Sequence, residues 1–501
     1  MENSQRLELA EKSKLNRKLE AILEHRETFE AKIADLKNDL TERIKENQEI
    51  LDGCDISVCV RIRPLLEYEK IYFNVMATGQ NQIHLAEPRI SVKGQAKIIK
   101  STFQVDHAFG PEQTNDQIYE NISDSVISMG LQGGVSTIFA YGQTASGKTF
   151  TISGILKRLC QDLVTKKPEH LELFLSIFEI LGNDTTDLLS SEKGQKIDIL
   201  EDKFGQVNIK NVQEEKIETS DQFQNLIKSA LAQRQTATTF KNDTSSRSHF
   251  ICQIRVKNLK FKSIEDGKIF IIDLAGSENA SDSQFHDKSR IKETQAINKS
   301  LMALKDCIRN RAMSAQTEKY FHVPYRQSKL TLLLKDAFEV ESRKLCKTIV
   351  IANVAPTCAD ISMTLNTLRY VSPLKIGALT EKIVKNPDNP ANWNNEKLRE
   401  WCEKYSKGRL NLEEFCPFQS GMQILRLHEA EFIEKAIKSH PSWGEKAAEA
   451  FHANLWKLLI DARTKDRKNK LKVKGESLKE RLHKQNQAYV HIYEKEKNQD
   501  I

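Results

Sequence analysis

The chain of 501 residues contains no run of about 18 apolar residues, so no membrane-crossing helix is expected. Its charged opening residues do not read as a secretory signal. Nine cysteines occur without a single C-x-x-C pair, and their number is odd. The expectation is reduced, mostly buried thiols in a soluble intracellular protein. Neither sign of charge dominates: 76 basic side chains face 69 acidic ones, a net +7. That mild excess permits an acidic partner without identifying it, and neither a nucleic acid nor a membrane is expected as one. Proline is missing from residues 1–52, glycine first stands at Gly53, and no tryptophan precedes Trp393.

What is present suits two or three domains with length enough for a large core. A content of 39% hydrophobic and 29% charged residues is ordinary for a globular protein carrying some long helix. The informative stretch runs from 135 to 149. Val135 to Tyr141 is an apolar, β-branched run that reads as a buried strand. Gly142-Gln143-Thr144-Ala145-Ser146-Gly147-Lys148-Thr149 follows at once as G-x-x-x-x-G-K-T, and a helical-looking segment comes after it. Glycines let backbone N–H groups wrap anionic oxygens, and the helix N-terminus adds the positive end of its dipole. Lys148 is placed to reach β and γ phosphates, and the Thr149 hydroxyl to ligate Mg²⁺. A nucleoside triphosphate is the expected ligand.

Residues 1–52 carry Leu15, Leu19, Ile22, Phe29, Ile33, Leu36, Leu40 and Ile50 on three- and four-residue steps, interrupted by Arg26, Arg43 and Asn47. This seam predicts a long helix over 1–53, either paired as a coiled coil into a homodimer or heterodimer, or lying on the protein's own surface. From Asp55 the period changes, with a strand over Ile56–Arg63 stopped by Pro64. Short strands and turns are predicted over 70–110 and a helix over Asn115–Gly130. Further strands are expected at Leu171–Ile180, Val207–Lys210, Phe250–Val256 and Ile269–Asp273, and helices at 220–233, 292–310 and 326–338. The alternation predicts one α/β domain over 54–375. Two motifs in it sit where a nucleotide switch needs them: the polar loop Asn242 to His249, and Asp273-Leu274-Ala275-Gly276-Ser277-Glu278. An aspartate ending a strand can hold Mg²⁺ through water, and a glycine just after it can donate its N–H to a γ-phosphate.

At these residues the chain resembles the kinesin motor domain. The matching stretches are Arg61-Ile62-Arg63-Pro64, Phe139 to Thr149, Asn242 to His249, Asp273 to Glu278, Asn298-Lys299-Ser300-Leu301, His322 to Thr331, and Leu365 to Tyr370. The resemblance implies an α/β fold of the P-loop NTPase kind, a central mixed sheet with helices on both faces, with ATP and Mg²⁺ as cofactors and microtubules as partner. It implies that Arg61 and Pro64 border the adenine, with Phe150 beside it where many kinesins have histidine, and that Gly142 to Thr149 hold the phosphates. Ser246 and Asp273 would join Thr149 around Mg²⁺, Ser245 and Gly276 would sense the γ-phosphate, and Arg247 would pair with Glu278 when the site closes. The microtubule face would be the helix near 292–310 with Arg326 and Lys329. An active, microtubule-stimulated ATPase of the cytoplasm and cytoskeleton, at spindle or cilium, is the expectation.

One departure is that the chain runs from Thr151-Ile152-Ser153-Gly154 straight into Ile155, where the family usually has a longer insertion. Val58-Cys59-Val60-Arg61 and Ala303 to Arg309 resemble class thirteen, whose internal motors take tubulin off microtubule ends. That class's K-E-C triplet corresponds to Lys305-Asp306-Cys307, but Ser91-Val92-Lys93 stands where its K-V-D is expected, and residues 1–52 are slightly acidic rather than basic. The alternatives are a translocating motor of class-fourteen type, although Cys54-Asp55 replaces the G-N pair of that class, or a structural microtubule binder with a slow nucleotide site.

Residues 376–391 read as a linker containing Asn386-Pro387-Asp388-Asn389-Pro390. A small helical domain is predicted over 392–461, with Trp393, Leu398, Trp401, Phe415, Met422, Ile424, Leu425, Leu427, Phe432 and Ile433 in its core. Its W-x-x-x-x-L-x-x-W opening resembles a sterile-alpha-motif domain; a bespoke helical bundle is the alternative, and either suits a protein partner. Residues 462–501 form a basic, helix-prone tail, read as a solvated face or a second microtubule contact.

Overall fold

The protein is seen in a computed structural model that describes residues 17–465 except 44–55, 80, 92, 193, 203–206, 240–246, 260–265, 278–287, 317–321, 339–345, 375–386, 418, 426, 428 and 463. It divides into two units, Met1–Ala378 and Leu379–Ile501. The strands of the first are β1 Ile56–Ile62, β2 Met76–Thr78, β3 Gln82–Ile90, β4 Ala96–Gln104, β5 His107–Phe109, β6 Val135–Tyr141 and β7 Leu171–Leu181. They continue as β8 Asp184–Asp187, β9 Asp198–Glu201, β10 Val207–Lys210, β11 Glu215–Ile217, β12 His249–Asn258, β13 Gly267–Asp273 and β14 Cys346–Val354. Its longer helices are α1 Arg26–Arg43, α2 Asn115–Leu131, α3 Lys148–Lys166, α4 Ser220–Thr239, α5 Lys288–Gln316 and α6 Ile361–Val371.

Among the described residues nine strands make the central sheet in the order β11-β7-β12-β13-β6-β14-β1-β5, with β8 on β7. From β13 to β5 the pairing is parallel, and from β13 to β11 antiparallel, so the sheet is mixed as expected. Its middle strands are apolar on both faces because helices cover both. Ile349 and Ile351 of β14 join the core with α2, α3 and α4, while Val350 and Ala352 face the core with α5 and α6. The sequence reading did not assign β14 as a strand, although its apolar run Thr348 to Ala352 fits a buried parallel one. The helix expected over 326–338 is instead broken: Ser328 is extended and caps a new start, accepting from Thr331 N at 3.1 Å, so Lys329–Leu333 and Lys335–Phe338 are separate pieces.

The described part of the N-terminal seam packs on its own domain. Phe29 and Ile33 of α1 are buried in the first unit's core, with Leu19, Ile22, Leu23 and Leu36 packed on it. The Phe29 ring lies over Phe73 at 6.1 Å. Arg26 Nη1 donates to the Lys70 and Ile71 carbonyls at 3.0 and 3.3 Å, and Lys32 Nζ to Ala96 O at 2.9 Å. Of the two forms expected for this stretch, its described part takes that of a helix lying on its own domain, where its apolar face is covered. Leu15, Asn47 and Ile50 lie outside the described residues.

In the second unit the helices Asn395–Ser406, Glu429–Ser439 and 445–462 enclose a core of their own. Every core residue expected there belongs to it except Met422, which is half-buried. Phe451, on a helix that the sequence reading left out of the core, is its hub: Trp401, Tyr405, Phe415, Phe432 and Trp443 all have ring centroids within 5.4 Å. The basic tail lies outside the described residues beyond 465. Among the described residues no helix is long and apolar enough to cross a membrane.

Candidate functional site

Parallel register assembles the site. Asp273 at the end of β13 pairs with Ala140 of β6, and Ala352 of β14 pairs with Tyr141 on the other side. The loop Gly142–Gly147 therefore leaves β6 between two parallel neighbours, at the carboxyl end of the sheet where ligands of such folds bind. Gly142 has φ +150°, and a Cβ there would come within 2.2 Å of Asn353 O. Gly147 caps α3 at φ +95°, so the helix begins at Lys148 with its N-terminus facing the loop. Helix α3 then runs unbroken through Gly154 and Ile155, which is the structural form of the missing insertion.

A cleft of about 460 Å³ opens over this loop, lined by Arg63, Pro64 and Leu66 on one side, Thr144, Ala145 and Gly147 to Phe150 along its floor, and Asp273 with Leu274. Lys148, 7% exposed, donates from Nζ to Gln143 O at 2.8 Å, and Ser146 Oγ to the same carbonyl at 2.7 Å. The Phe150 ring is 66% exposed beside the cleft. Arg61 does not line the cleft. Its guanidinium lies behind Phe150 at 5.2 Å from the ring centroid and donates to Thr151 Oγ1 at 2.7 Å and to Asn115 Oδ1. Burial lowers its pKa to about 10, which still leaves it cationic at neutral pH. Arg63 takes the lining position, donating to Ala145 O at 2.8 Å and clamped by Glu69 at 2.6 Å. The second arginine of Arg61-Ile62-Arg63-Pro64 was legible in the motif but not singled out.

The Thr149 hydroxyl donates to Asp273 Oδ2 at 2.6 Å, and Arg234 Nη1 of α4 lies 3.5 Å from the same oxygen. Asp273 Oδ1 is buried with no hydrogen-bond partner among the described residues. A buried carboxylate oxygen left open beside a threonine hydroxyl is a donor set that fits a hydrated divalent cation. Gly276 is buried one residue before Ser277, whose N–H donates to Gly142 O at 3.1 Å. Ser245, Ser246 and Glu278 lie outside the described residues, and the expected pairing of Arg247 lies there with Glu278.

Two further residues were given no role of their own by the sequence reading. Arg234 donates to Ser248 O at 2.7 Å and so joins α4 to the start of β12 and to Asp273. His249, 1% exposed, accepts the Ala275 N–H on Nδ1 at 3.1 Å and meets Ser300 Oγ of α5 at 2.8 Å through Nε2. Burial first, then Arg234 and Lys148, lower its pKa to about 3. Only the tertiary structure brings these partners together.

Away from the cleft, Lys299, Met302, Lys305 and Arg309 are exposed on one stripe of α5. Asp306 is half-buried, and Cys307 is buried with its thiol pushed up to about 12 by that burial. Arg326 is exposed and pairs with Glu201 at 2.7 Å; Lys335 meets that carboxylate at 2.9 Å, and Lys329 Nζ donates to Ile199 O at 2.9 Å. These basic groups thus fasten the β9–β10 hairpin, with Arg326 facing outward, Lys329 half-buried and Lys335 buried. Arg326 and Lys335 hold Glu201 below the usual carboxylate range.

Sheet order, phosphate loop and buried aspartate together define a P-loop nucleotide-binding protein of the α/β class. A profile of the kinesin motor domain matches residues 61–376, and the chain belongs to the kinesin family. It is 39% identical over 331 residues to Diatom spindle kinesin-1 of Cylindrotheca fusiformis, covering 64% of this chain and 50% of that protein. It is 36% identical over 353 residues to Kinesin-like protein KIN-13B of Arabidopsis thaliana, covering 67% of this chain and 49% of that one. With Kinesin-like protein KIF24 of Homo sapiens it shares 35% over 334 residues, 64% of this chain and 24% of that one. The matched part thus spans about half the length of the first two relatives and about a quarter of the third. Kinesin motor domains in general bind ATP with Mg²⁺.

Proposed function

We propose that the chain is a microtubule-stimulated ATPase that uses hydrolysis to remove tubulin from microtubule ends, in the manner of class thirteen. The observation that carries the enzymatic part is the hydrogen bond from exposed Thr149 to buried Asp273 beside Lys148, at the floor of a cleft of nucleotide size. The Lys148 ammonium now rests on the Gln143 carbonyl, and triphosphate oxygens take that carbonyl's place. Gly142 to Gly147 present backbone N–H groups to the phosphates, while Pro64, Arg63 and Phe150 hold the base. Mg²⁺ supplies neutralising charge for the phosphates, and Thr149, Asp273 and Ser246 are the side chains that would hold it. Ser245 and Gly276 sense the γ-phosphate, and Arg247 with Glu278 positions the attacking water, so water adds to phosphorus and ADP leaves.

The lysine and arginine stripe of α5 is the surface offered to acidic tubulin. Of Lys305-Asp306-Cys307 only Lys305 is exposed, so the class-thirteen triplet acts on tubulin through its lysine while the thiol packs inside. The similarity to a relative named KIN-13B supports the class assignment. Ser91 and Lys93 at the β3–β4 turn, where that class has another triplet, favour translocation as the second reading. Residues 1–53 serve as neck, 54–375 as motor and 376–391 as linker. The helical unit, 392–461, binds a protein partner, and 462–501 adds an electrostatic contact. The cytoplasmic microtubule cytoskeleton is the place of action.

The test is microscopy of stabilised, surface-held fluorescent microtubules with the full chain and ATP. Shortening from the ends is expected. Gliding without shortening replaces this reading by translocation, and binding with neither removes motor activity from it.

A further inference from the structure

The start of β12, the backbone beside Gly276 and the outward-facing helix α5 meet at one buried ring. His249 is the first residue of β12. A backbone N–H can only donate, so Nδ1 of His249 must be the acceptor of the 3.1 Å bond from Ala275 N. Ser300 Oγ donates to Ile297 O at 2.7 Å, which leaves that oxygen to accept from His249 Nε2 at 2.8 Å. The ring is therefore neutral with its hydrogen on Nε2, and every hydrogen position in the chain Ala275–His249–Ser300–Ile297 is determined. Protonating Nδ1 would set two donors against each other.

We infer that His249 is a positioning residue that transmits movement of the Ala275–Gly276 backbone to α5 through Ser300, coupling γ-phosphate sensing to the microtubule face. A hydrogen-bonded ring with both ends engaged is stiff: when Ala275 moves, either the ring carries Ser300 with it or a buried bond breaks. Ser300 is buried next to exposed Lys299, so a shift there alters the presentation of the basic stripe. This inference rests on the roles proposed above for Gly276 and α5.

The experiment is backbone hydrogen exchange of the full chain with ADP and with a non-hydrolysable ATP analogue, without microtubules. In the native chain, protection of α5 is expected to differ between the two nucleotides. Ser300→Ala removes the α5 end of the link, and His249→Asn keeps an acceptor near Ala275 while falling short of Ser300. In either variant the nucleotide-dependent difference in α5 is expected to shrink at least threefold, while the difference around 142–149 persists. A merely structural defect lowers protection in both nucleotide states and leaves their difference in place. If the α5 difference survives in whichever of the two variants folds, or is absent from the native chain, the inference is overturned. An α5 that responds to nucleotide in a chain that microtubules do not stimulate upholds the coupling and defeats the functional reading instead.

Discussion

The Thr149 hydroxyl donates to Asp273 Oδ2 across 124 residues of chain at 2.6 Å, so that the first turn of α3 and the end of β13 share one half-buried polar contact. The contact exists because Lys148 opens α3 directly beside β13, and because parallel register sets Asp273 opposite Ala140. Asp273 is 3% exposed, and its carboxylate lies between the Thr149 hydroxyl and the Arg234 guanidinium.

Asp273→Asn keeps the shape and removes the charge. Turnover of ATP is expected to fall by on the order of 100-fold, because preorganised charge at the phosphates is lost. The Mg²⁺ concentration for half-maximal rate should rise in the same titration. An unchanged Mg²⁺ requirement would take Asp273 out of the cation's surroundings.

Phe150 is exposed over Arg61, a flat face available to a base. Phe150→Ala is expected to weaken nucleotide binding about 5-fold, from loss of about 1 kcal/mol of stacking. Equilibrium titration with a fluorescent ATP analogue measures it. Equal affinity in the variant would place the base elsewhere.

Phe29 is fully buried against Phe73. Phe29→Ala should cost about 3–5 kcal/mol, the transfer and cavity terms for a large aromatic side chain. Urea unfolding followed by circular dichroism reads this as an earlier transition of the first unit. A midpoint that does not move would mean that α1 is not docked in solution.

His249 sets a pH dependence of stability. Its folded pKa of about 3 lies below the ordinary 6.5, so above pH 6.5 the ring is neutral in both folded and unfolded chains. Below 6.5 the unfolded chain takes up a proton that the folded chain refuses, and stability falls by about 1.4 kcal/mol per pH unit towards pH 3. His84, lowered by burial and then by Lys100, adds a loss of the same sign. Urea midpoints at pH 7.5, 6.0 and 5.0 should show a shallower decline for His249→Asn than for the native chain. Parallel declines would mean that the ring is not held neutral.

Local chemistry made much of this protein legible in advance. The phosphate loop announces itself because glycines, a lysine and a threonine must stand at fixed steps after an apolar strand, and Gly142 to Thr149 take that form. Asp273 could be named because an acidic residue ending an apolar strand has few other reasons to be there. The aromatic cluster of the second unit showed in its tryptophan density.

What sequence by itself determined is therefore the ligand class, the α/β centre and the existence of an amphipathic N-terminal helix. Tertiary structure decided what each of these faces. An apolar seam states only that a helix must be covered, and whether a second chain or the domain's own Phe73 covers it depends on a surface built from distant strands. Arg61 and Arg63 stand two residues apart, where alternation alone would set them on one face. Arg61 is held inside β1 by Thr151 and Asn115, while Arg63 lies past the strand's end and reaches Ala145 and Glu69 at the cleft, partners that only the folded chain supplies. His249 read as one more residue of a polar loop, since its meaning lies in Ala275 and Ser300, 26 and 51 residues away, and hydrogen bonds of that reach leave no periodic trace in a sequence.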